Sequence, residues 1–110
     1  MKTENTKAQM RKGVLEYCIL LTLENEPRYS TDIIENLEKS NLIVVEGTLY
    51  PMLSRLKNEG YLSCRWEESL QGPPRKYYEL TETGKHFLTQ LQNTWNELVE
   101  AVLNLTQRAA

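Results

Sequence analysis

The spacing of apolar residues along the chain predicts four helices and one β-hairpin. A first helix is predicted over about residues 6–24, where apolar side chains lie nearly all round it and indicate burial on more than one side. Pro27 cannot continue this helix. A second helix follows with one apolar side, and its candidate N-cap residues are Ser30, Thr31 and Asp32. Residues 42–45 are β-prone and are predicted to form a short link.

A short amphipathic third helix is predicted over about residues 47–59. Pro51 falls close to its start, where a proline removes little hydrogen bonding. Gly60 stands where a left-handed residue commonly ends a helix. The apolar side of this helix needs a core to pack against, and it carries Leu49, Met52, Leu53 and Leu56.

Two stretches after the third helix alternate apolar and polar residues with the period of a β-strand. They are residues 62–66 and 76–80, and Tyr78 and Leu80 are predicted to face inward on the second stretch. Turn-forming residues separate them, so a hairpin, here called the wing, is predicted over about residues 62–80. Thr81 is then predicted to cap the last helix.

The last helix, about residues 82–107, carries apolar residues at alternating steps of three and four, which is a heptad seam. One partner for this seam is its own domain. A symmetric dimer is favoured, because the first helix already offers more apolar surface than the second helix and the small wing can cover. The predicted organisation is a domain at 1–81 and a dimerisation helix at 82–110, with a seam of Leu88, Leu91, Trp95, Leu98, Val102 and Leu105.

The composition is that of one globular domain. The chain has 110 residues, 40% of them hydrophobic, and a formal net charge of −2. No run of about 18 apolar residues is present and the N-terminus lacks the apolar core of a signal peptide, so a cytoplasmic location is expected. The acidic net charge argues mildly against nucleic-acid binding, although the distribution of charge matters more than its sum.

Patterns typical of catalysis or metal binding are missing from the sequence. Cys18 lies in an apolar run and Cys64 on a strand face, without a His or acidic cluster, so both are expected to be structural and no metal is expected. A redox role for Cys64 is the minority alternative. His86 is the only histidine and no nucleophile–base pair accompanies it, so neither enzymatic activity nor a cofactor is expected.

A polar-faced helix followed by a basic hairpin is the arrangement by which a winged helix-turn-helix meets DNA, with the helix in the major groove. The predicted fold class is therefore mainly α (α+β): a winged helix-turn-helix with a two-stranded β wing and a C-terminal dimerisation helix. Double-stranded operator DNA is the expected partner. The alternative is a winged-helix protein-interaction module without DNA or ligand binding, and a steep fall of DNA affinity with salt distinguishes the two.

Three ordered motifs carry a resemblance to a known family. They read Gly-Thr-Leu-Tyr-Pro-x-Leu-x-Arg-Leu over residues 47–56, Glu-Gly-x-Leu over 59–62 and Arg-Lys-Tyr-Tyr-x-Leu-Thr-x-x-Gly over 75–84. Over about residues 14–84 the chain resembles PadR-type transcriptional regulators. Its short tail is similar to that of a small PadR subfamily that includes a multidrug-sensing repressor. The resemblance implies a dimeric repressor whose third helix is the recognition helix.

The resemblance also implies which residues meet DNA. The family often has Gly-Tyr where this chain has Ser30 and Thr31, so a phosphate contact there falls to Tyr29 or to the two hydroxyls. The implied DNA-binding set is Tyr29, Ser30, Gly47, Thr48, Tyr50, Pro51, Arg55, Gly72, Arg75 and Lys76.

Trp95 lies in the middle of the seam, where twofold symmetry would bring two copies near each other. Two indole faces set apart form a slot for a planar hydrophobic small-molecule effector. The resemblance aligns Trp95 with a tryptophan that stacks drugs in the subfamily, whereas an acidic residue of those regulators is replaced here by Val99. The alternative is a tryptophan that only packs a dimer core. The candidate walls of the slot are Met10, Val14, Tyr17, Cys18 and Val99.

Overall fold

The computed structural model describes residues 2–109, and side chains are described for residues 3–107. Within this range the chain forms four helices and a small antiparallel sheet, which confirms the predicted mainly α fold with a β wing. The elements are α1 (Lys2–Thr22), β1 (Arg28–Tyr29), α2 (Ser30–Lys39), α3 (Glu46–Asn58), β2 (Leu62–Glu67), β3 (Arg75–Leu80) and α4 (Glu82–Ala109).

The sheet has three strands in the order β1-β3-β2. Strands β2 and β3 form the predicted wing, with Leu62 opposite Leu80 at its base and Glu67 opposite Arg75 towards its tip. The third strand, β1, was not predicted. It contributes only residues 28 and 29, which are too few for a period of two to be read from the sequence, and it ties the start of α2 to the wing through β3.

One hydrophobic core is shared by all four helices and the wing. Six of its side chains are fully buried, namely Ile19, Leu20, Ile33, Leu49, Leu53 and Leu56. Tyr78 and Leu80 of β3 are buried as predicted, and Leu62 closes the core from β2. The helical sides predicted for α2 and α3 are therefore the sides that pack, and the opposite side of α3 is left facing solvent.

Three local predictions differ from the structure. Helix α1 spans Lys2–Thr22, so it starts earlier than predicted because good helix formers such as Lys, Gln and Ala fill its polar beginning, and it ends slightly sooner. Residues 42–45 form no strand; Val44 is buried while Ile43 and Val45 are exposed, so the segment is a loop anchored by one side chain. Helix α2 has Tyr29 at its N-cap position without a side-chain cap.

The junction between α3, the wing and α4 is fixed by a compact set of hydrogen bonds. Helix α3 ends at Gly60, whose φ of +88° is the predicted left-handed conformation. The Thr81 hydroxyl donates to the Gly60 carbonyl at 2.7 Å and accepts the Gly84 amide at 2.9 Å, so Thr81 caps α4 as predicted. The rings of Tyr61 and Phe87 stack 4.0 Å apart and set the direction in which α4 leaves the domain.

Helix α4 has two parts with different surroundings. Its first turns pack against the domain, where Leu88 is buried and Leu91 lies against the core. Beyond them, Leu98, Val102, Leu103 and Leu105 are more than half exposed. In the part of the chain that the structure describes, none of the helices combines the length and apolarity needed to cross a membrane.

Candidate nucleic-acid interface and apolar groove

Helix α3 presents a continuous solvent-facing side opposite its buried leucines. Leu49, Leu53 and Leu56 lie on the inner side. The opposite side begins at the helix N-terminus, where free backbone N–H groups favour a phosphate, and it is centred on a proline that has no N–H to lose there. The exposed residues predicted to meet DNA on this helix are Gly47, Thr48, Tyr50, Pro51 and Arg55.

The prediction for Ser30 needs correction. Ser30 is the first residue of α2 but only 4% of it is exposed, and its hydroxyl lies 2.9 Å from the hydroxyl of Tyr50. A buried hydroxyl that is already paired is not offered to a phosphate. The pair instead holds the Tyr50 phenol on one flank of α3, so Ser30 acts on the exposed surface by orienting Tyr50.

The prediction for Arg55 is also revised by its surroundings. Its guanidinium forms a close ion pair with Glu16 of α1 and a second with Glu59 at 3.4 Å. Hydrogen bonding to Glu16 is the main cause that raises the pKa of Arg55 above its ordinary value. A charge compensated by two carboxylates braces α3 against α1. Sequence reasoning missed Glu16 because the two residues are far apart in the chain and no periodicity relates them.

The outer face of the wing is organised around aromatic rings. The Arg75 guanidinium lies 5.0 Å from the centroid of the Tyr29 ring, and the Tyr29 and Tyr77 rings are 6.0 Å apart. Arg65 on the same face pairs with Glu67 at 3.1 Å and with Glu79 at 3.5 Å. Tyr29 therefore supports Arg75 from beneath, which brings two of the predicted DNA-contacting residues together.

The inner face of the wing carries the other predicted cation. The Lys76 ammonium lies 5.7 Å from the Trp66 ring centroid and 5.6 Å from that of Tyr78. Burial raises the pKa of the Tyr78 hydroxyl, Cys64 and Tyr50 raise it further, and the ammonium of Lys57 opposes them. Tyr78 therefore lies close to the flank of α3 that carries Tyr50 and Lys57.

The wing tip is an exposed turn. Gly72 has a φ of +134°, a conformation that favours glycine over residues with a side chain. It is exposed, as are the two prolines that follow it and Arg75 at the start of β3. The tip is therefore free to approach a large partner, as the prediction for Gly72 requires.

An apolar groove of about 490 Å³ lies between α1 and the outer part of α4. Five of the six residues predicted to bind a ligand line it, namely Met10, Val14, Cys18, Trp95 and Val99. The sixth, Tyr17, does not line the groove, but its ring packs against Trp95 with centroids 6.4 Å apart and planes tilted by 40°. Trp95 is 39% exposed, so its indole is partly free to meet another group.

The structure divides the predicted seam of α4. Leu88 is 3% exposed and belongs to the core of its own domain, and Leu91 packs against the same core. These two residues are corrected from dimer contacts to intramolecular ones. The rest of the seam lies beyond the point where α4 leaves the domain and remains uncovered within the described chain: Trp95, Leu98, Val102 and Leu105.

The two cysteines are free and half-buried. Burial raises the pKa of the Cys18 thiol above its ordinary value, which lowers its thiolate fraction and its reactivity. Among the described residues no group of three or more His, Cys, Asp and Glu side chains is placed to hold a metal ion.

Comparison with known proteins places this arrangement among transcriptional regulators. Residues 19–90 match the family model described as the transcriptional regulator PadR-like family. A PadR-like transcription factor from Bacteroides fragilis is 59% identical with a TM-score of 0.78, and the match covers 92% of this chain and 98% of that chain. A PadR-like transcriptional regulator from Bacillus cereus is 37% identical with a TM-score of 0.81, covering 90% and 97% of the two chains.

One similar structure contains nucleic acid. The PadR of Bacillus subtilis, solved in complex with operator DNA, is 27% identical with a TM-score of 0.66. That match covers 72% of this chain and 46% of the other. The family match includes α2, α3 and the whole wing, which are the elements that carry the candidate nucleic-acid interface.

Proposed function

The chain belongs to the PadR-like family of transcriptional regulators, and on this basis we propose that it is a dimeric repressor released from its operator by a planar hydrophobic effector. It is a DNA-binding regulator and not an enzyme. Family membership favours DNA over the alternative of a winged helix that contacts only protein. Because its partner is operator DNA, the proposed site of action is the cytoplasm.

The observation that carries the DNA-binding proposal is the solvent-facing side of α3 beside two wing cations. Arg75 and Lys76 have no ion pair among the described residues, in contrast to Arg55 and Arg65. We propose that α3 enters the major groove with Thr48, Tyr50 and Pro51, while the wing cations contact phosphates. Few cations per subunit implies that two subunits on two half-sites are needed for tight binding.

The observation that supports a dimer is the uncovered apolar surface of α4. Leu98 is 55% exposed and Val102 59%, in a helix that continues beyond its own domain. A contiguous apolar face of this kind marks a protein–protein contact. We propose that it packs against α1 or α4 of a second copy.

The effector proposal rests on the groove between α1 and α4. Its apolar lining, its size and the partly exposed Trp95 suit a flat aromatic molecule held by stacking and burial. Since the groove adjoins the proposed dimer surface, an occupant can favour one spacing of the two recognition helices over another. It shifts the equilibrium only by its difference in affinity for the two arrangements.

Fluorescence anisotropy of labelled DNA from upstream of the gene, titrated with protein at two salt concentrations, tests the DNA-binding part. We expect tight, salt-sensitive binding that exceeds binding to a scrambled duplex. Arg75→Ala combined with Lys76→Ala should weaken binding and flatten the salt slope. Lys12→Ala combined with Lys39→Ala removes the same charge away from the wing and should leave the slope unchanged; equal effects of the two pairs would exclude the wing.

The effector part is tested with the neutral planar dye Nile red. We expect its emission to rise on binding, and the dye to release labelled DNA from the wild-type protein. Trp95→Ala should remove both effects, while Trp66→Ala should leave dye binding intact because Trp66 lies on the wing. Dye binding that survives Trp95→Ala would show that the groove is not the effector site.

A further inference from the structure

The two faces of the wing differ in how their charges are compensated. On the outer face Arg65 is paired with Glu67 and Glu79, and the Arg75 guanidinium lies over Tyr29. On the inner face, strand register places Trp66 directly opposite Lys76. Neither Lys76 nor Lys57 of α3 forms an ion pair within residues 3–107. The uncompensated positive charge therefore lies on the inner face, towards α3.

The inner face of the wing and the adjoining flank of α3 form a trough. Tyr50 and Lys57 are seven residues apart, which is close to two helical turns, so they share one flank of α3. Tyr78 forms the floor where the wing meets this flank, and Lys76 lies 5.6 Å from the Tyr78 ring. Trp66 forms the outer edge. The trough thus contains two ammonium groups and no carboxylate among the five residues that define it.

Trp66 is an unusual residue for the edge of such a trough. It is 68% exposed, so its ring adds little to the core. The Lys76 ammonium lies 5.7 Å from its centroid, a distance at which the ring attracts a cation and limits where the ammonium can go. The indole N–H is only a donor, and it can serve a phosphate oxygen without competing for the ammonium held over the ring face.

We propose that one strand of the DNA backbone lies in this trough, and that Trp66 is a DNA-contacting residue that donates its indole N–H to a phosphate. The ring also positions Lys76 towards the same strand, and Lys57 neutralises a neighbouring phosphate from the α3 side. This inference rests on the proposed DNA-binding function and specifies how the wing contributes to it. The outer face, with its paired Arg65, is correspondingly expected to contact the backbone less.

Binding of labelled DNA from upstream of the gene is measured for Trp66→Phe, Lys76→Gln and Lys57→Gln, with Arg65→Gln as the outer-face control. Trp66→Phe keeps the ring but loses the N–H, and we expect it to weaken binding about tenfold with an unchanged salt slope, since a hydrogen bond to a charged acceptor is lost. Each lysine variant should lower the salt slope by about 0.9 for each wing bound. Arg65→Gln should change neither quantity.

A spectroscopic measurement separates contact from a merely structural role. In a Trp95→Phe background Trp66 is the only tryptophan of the chain. We expect its emission to change on DNA addition and to stay constant when a winged-helix-free control protein or free nucleoside is added. Thermal unfolding of Trp66→Phe should match wild type because the side chain is largely exposed.

The outcomes distinguish this inference from the proposed function. If the wild-type protein binds DNA but Trp66→Phe binds equally well and Trp66 emission does not move, the trough is not the backbone site. If the slope falls for Arg65→Gln but not for Lys57→Gln, the backbone lies on the outer face and the inference is overturned. If the wild-type protein binds no DNA better than a scramble, the proposed function fails and the inference fails with it.

Discussion

At the scale of single residues, Gly84 occupies the position where the fold leaves least room for a side chain. A Cβ atom there would lie 2.0 Å from the Tyr61 carbonyl oxygen, and that carbonyl is fixed because it accepts the Thr81 amide at 3.1 Å. We expect Gly84→Ala to lower the free energy of unfolding by about 1–3 kcal/mol, because the backbone must shift to admit the methyl group. Urea unfolding followed by circular dichroism measures this.

Gly13 supplies the matched control. It lies within α1, and a Cβ atom there meets nothing within 4 Å. Gly13→Ala should therefore be neutral or stabilise the protein by up to about 1 kcal/mol, since alanine is the better helix former. Equal stability of the two alanine variants would show that α4 does not approach Tyr61 as closely as described.

Thr81 determines where α4 begins, because one hydroxyl serves two backbone groups. It accepts the Gly84 amide and donates to the carbonyl of Gly60. We expect Thr81→Ala to cost about 1 kcal/mol of stability, whereas Thr81→Ser keeps the hydroxyl and should retain most of it. Thermal unfolding of both variants measures the difference; a serine variant as unstable as the alanine variant would indicate that the methyl group, and not the cap, matters.

At the scale of elements, periodicity in the sequence predicted what it could encode locally. Helix α3 and the strands β2 and β3 were predicted almost to the residue, because each has a clear apolar side and is bounded by glycine, proline or a capping threonine. Strand β1 was missed, since a two-residue strand exists only through its pairing with β3. The loop at 42–45 was wrongly given β character because propensity alone cannot report that no partner strand lies beside it.

The candidate site was predicted less completely than the fold, for a related reason. The polar side of α3 follows from helical spacing, but the partners of Ser30 and Arg55 come from distant parts of the chain. The heptad seam of α4 was a correct pattern with two different partners, since Leu88 packs within its own domain and Leu98 does not. Sequence spacing reports that a face is apolar and leaves open what covers it.

The Glu16–Arg55 pair links α1 to the recognition helix, and its role can be measured. With side chains 25% and 47% exposed, the pair is screened by solvent, so Arg55→Gln should lower the free energy of unfolding by no more than about 1 kcal/mol. We expect the salt slope of DNA binding to stay unchanged, because this guanidinium is already committed to carboxylates. Urea unfolding and anisotropy titrations test the two parts.

A double-mutant cycle with Glu16→Gln isolates the pair from the effects of each single change. Additive losses of stability would mean that the two side chains do not interact in solution. A salt slope that falls by about 0.9 per subunit in Arg55→Gln would mean that the guanidinium leaves Glu16 for a phosphate. That outcome would restore the role predicted from the sequence.

At the scale of the whole molecule, α1 connects the two surfaces on which the proposed function depends. Val14, Leu15 and Cys18 line the groove, and Glu16 lies between them on the same helix and holds Arg55 of α3. A displacement of α1 by an occupant of the groove would therefore be felt at α3 through a direct ion pair. This contact is a physical route for coupling, and the cycle above is also its test when repeated with Nile red bound.

The outer part of α4 decides whether the molecule acts as a dimer. Leu98 is 55% exposed in the single chain, so an aspartate there costs little within the domain but places a charge in any apolar interface that covers it. We expect Leu98→Asp to sediment as a monomer that is folded, and to lose tight operator binding because two half-sites are no longer bound together. Asn96→Asp adds the same charge on the opposite side of α4 and should remain a dimer. Sedimentation velocity decides between these outcomes; a dimer that persists in Leu98→Asp would mean that the exposed seam of α4 is not the interface, and that the groove opens to solvent in the assembled protein.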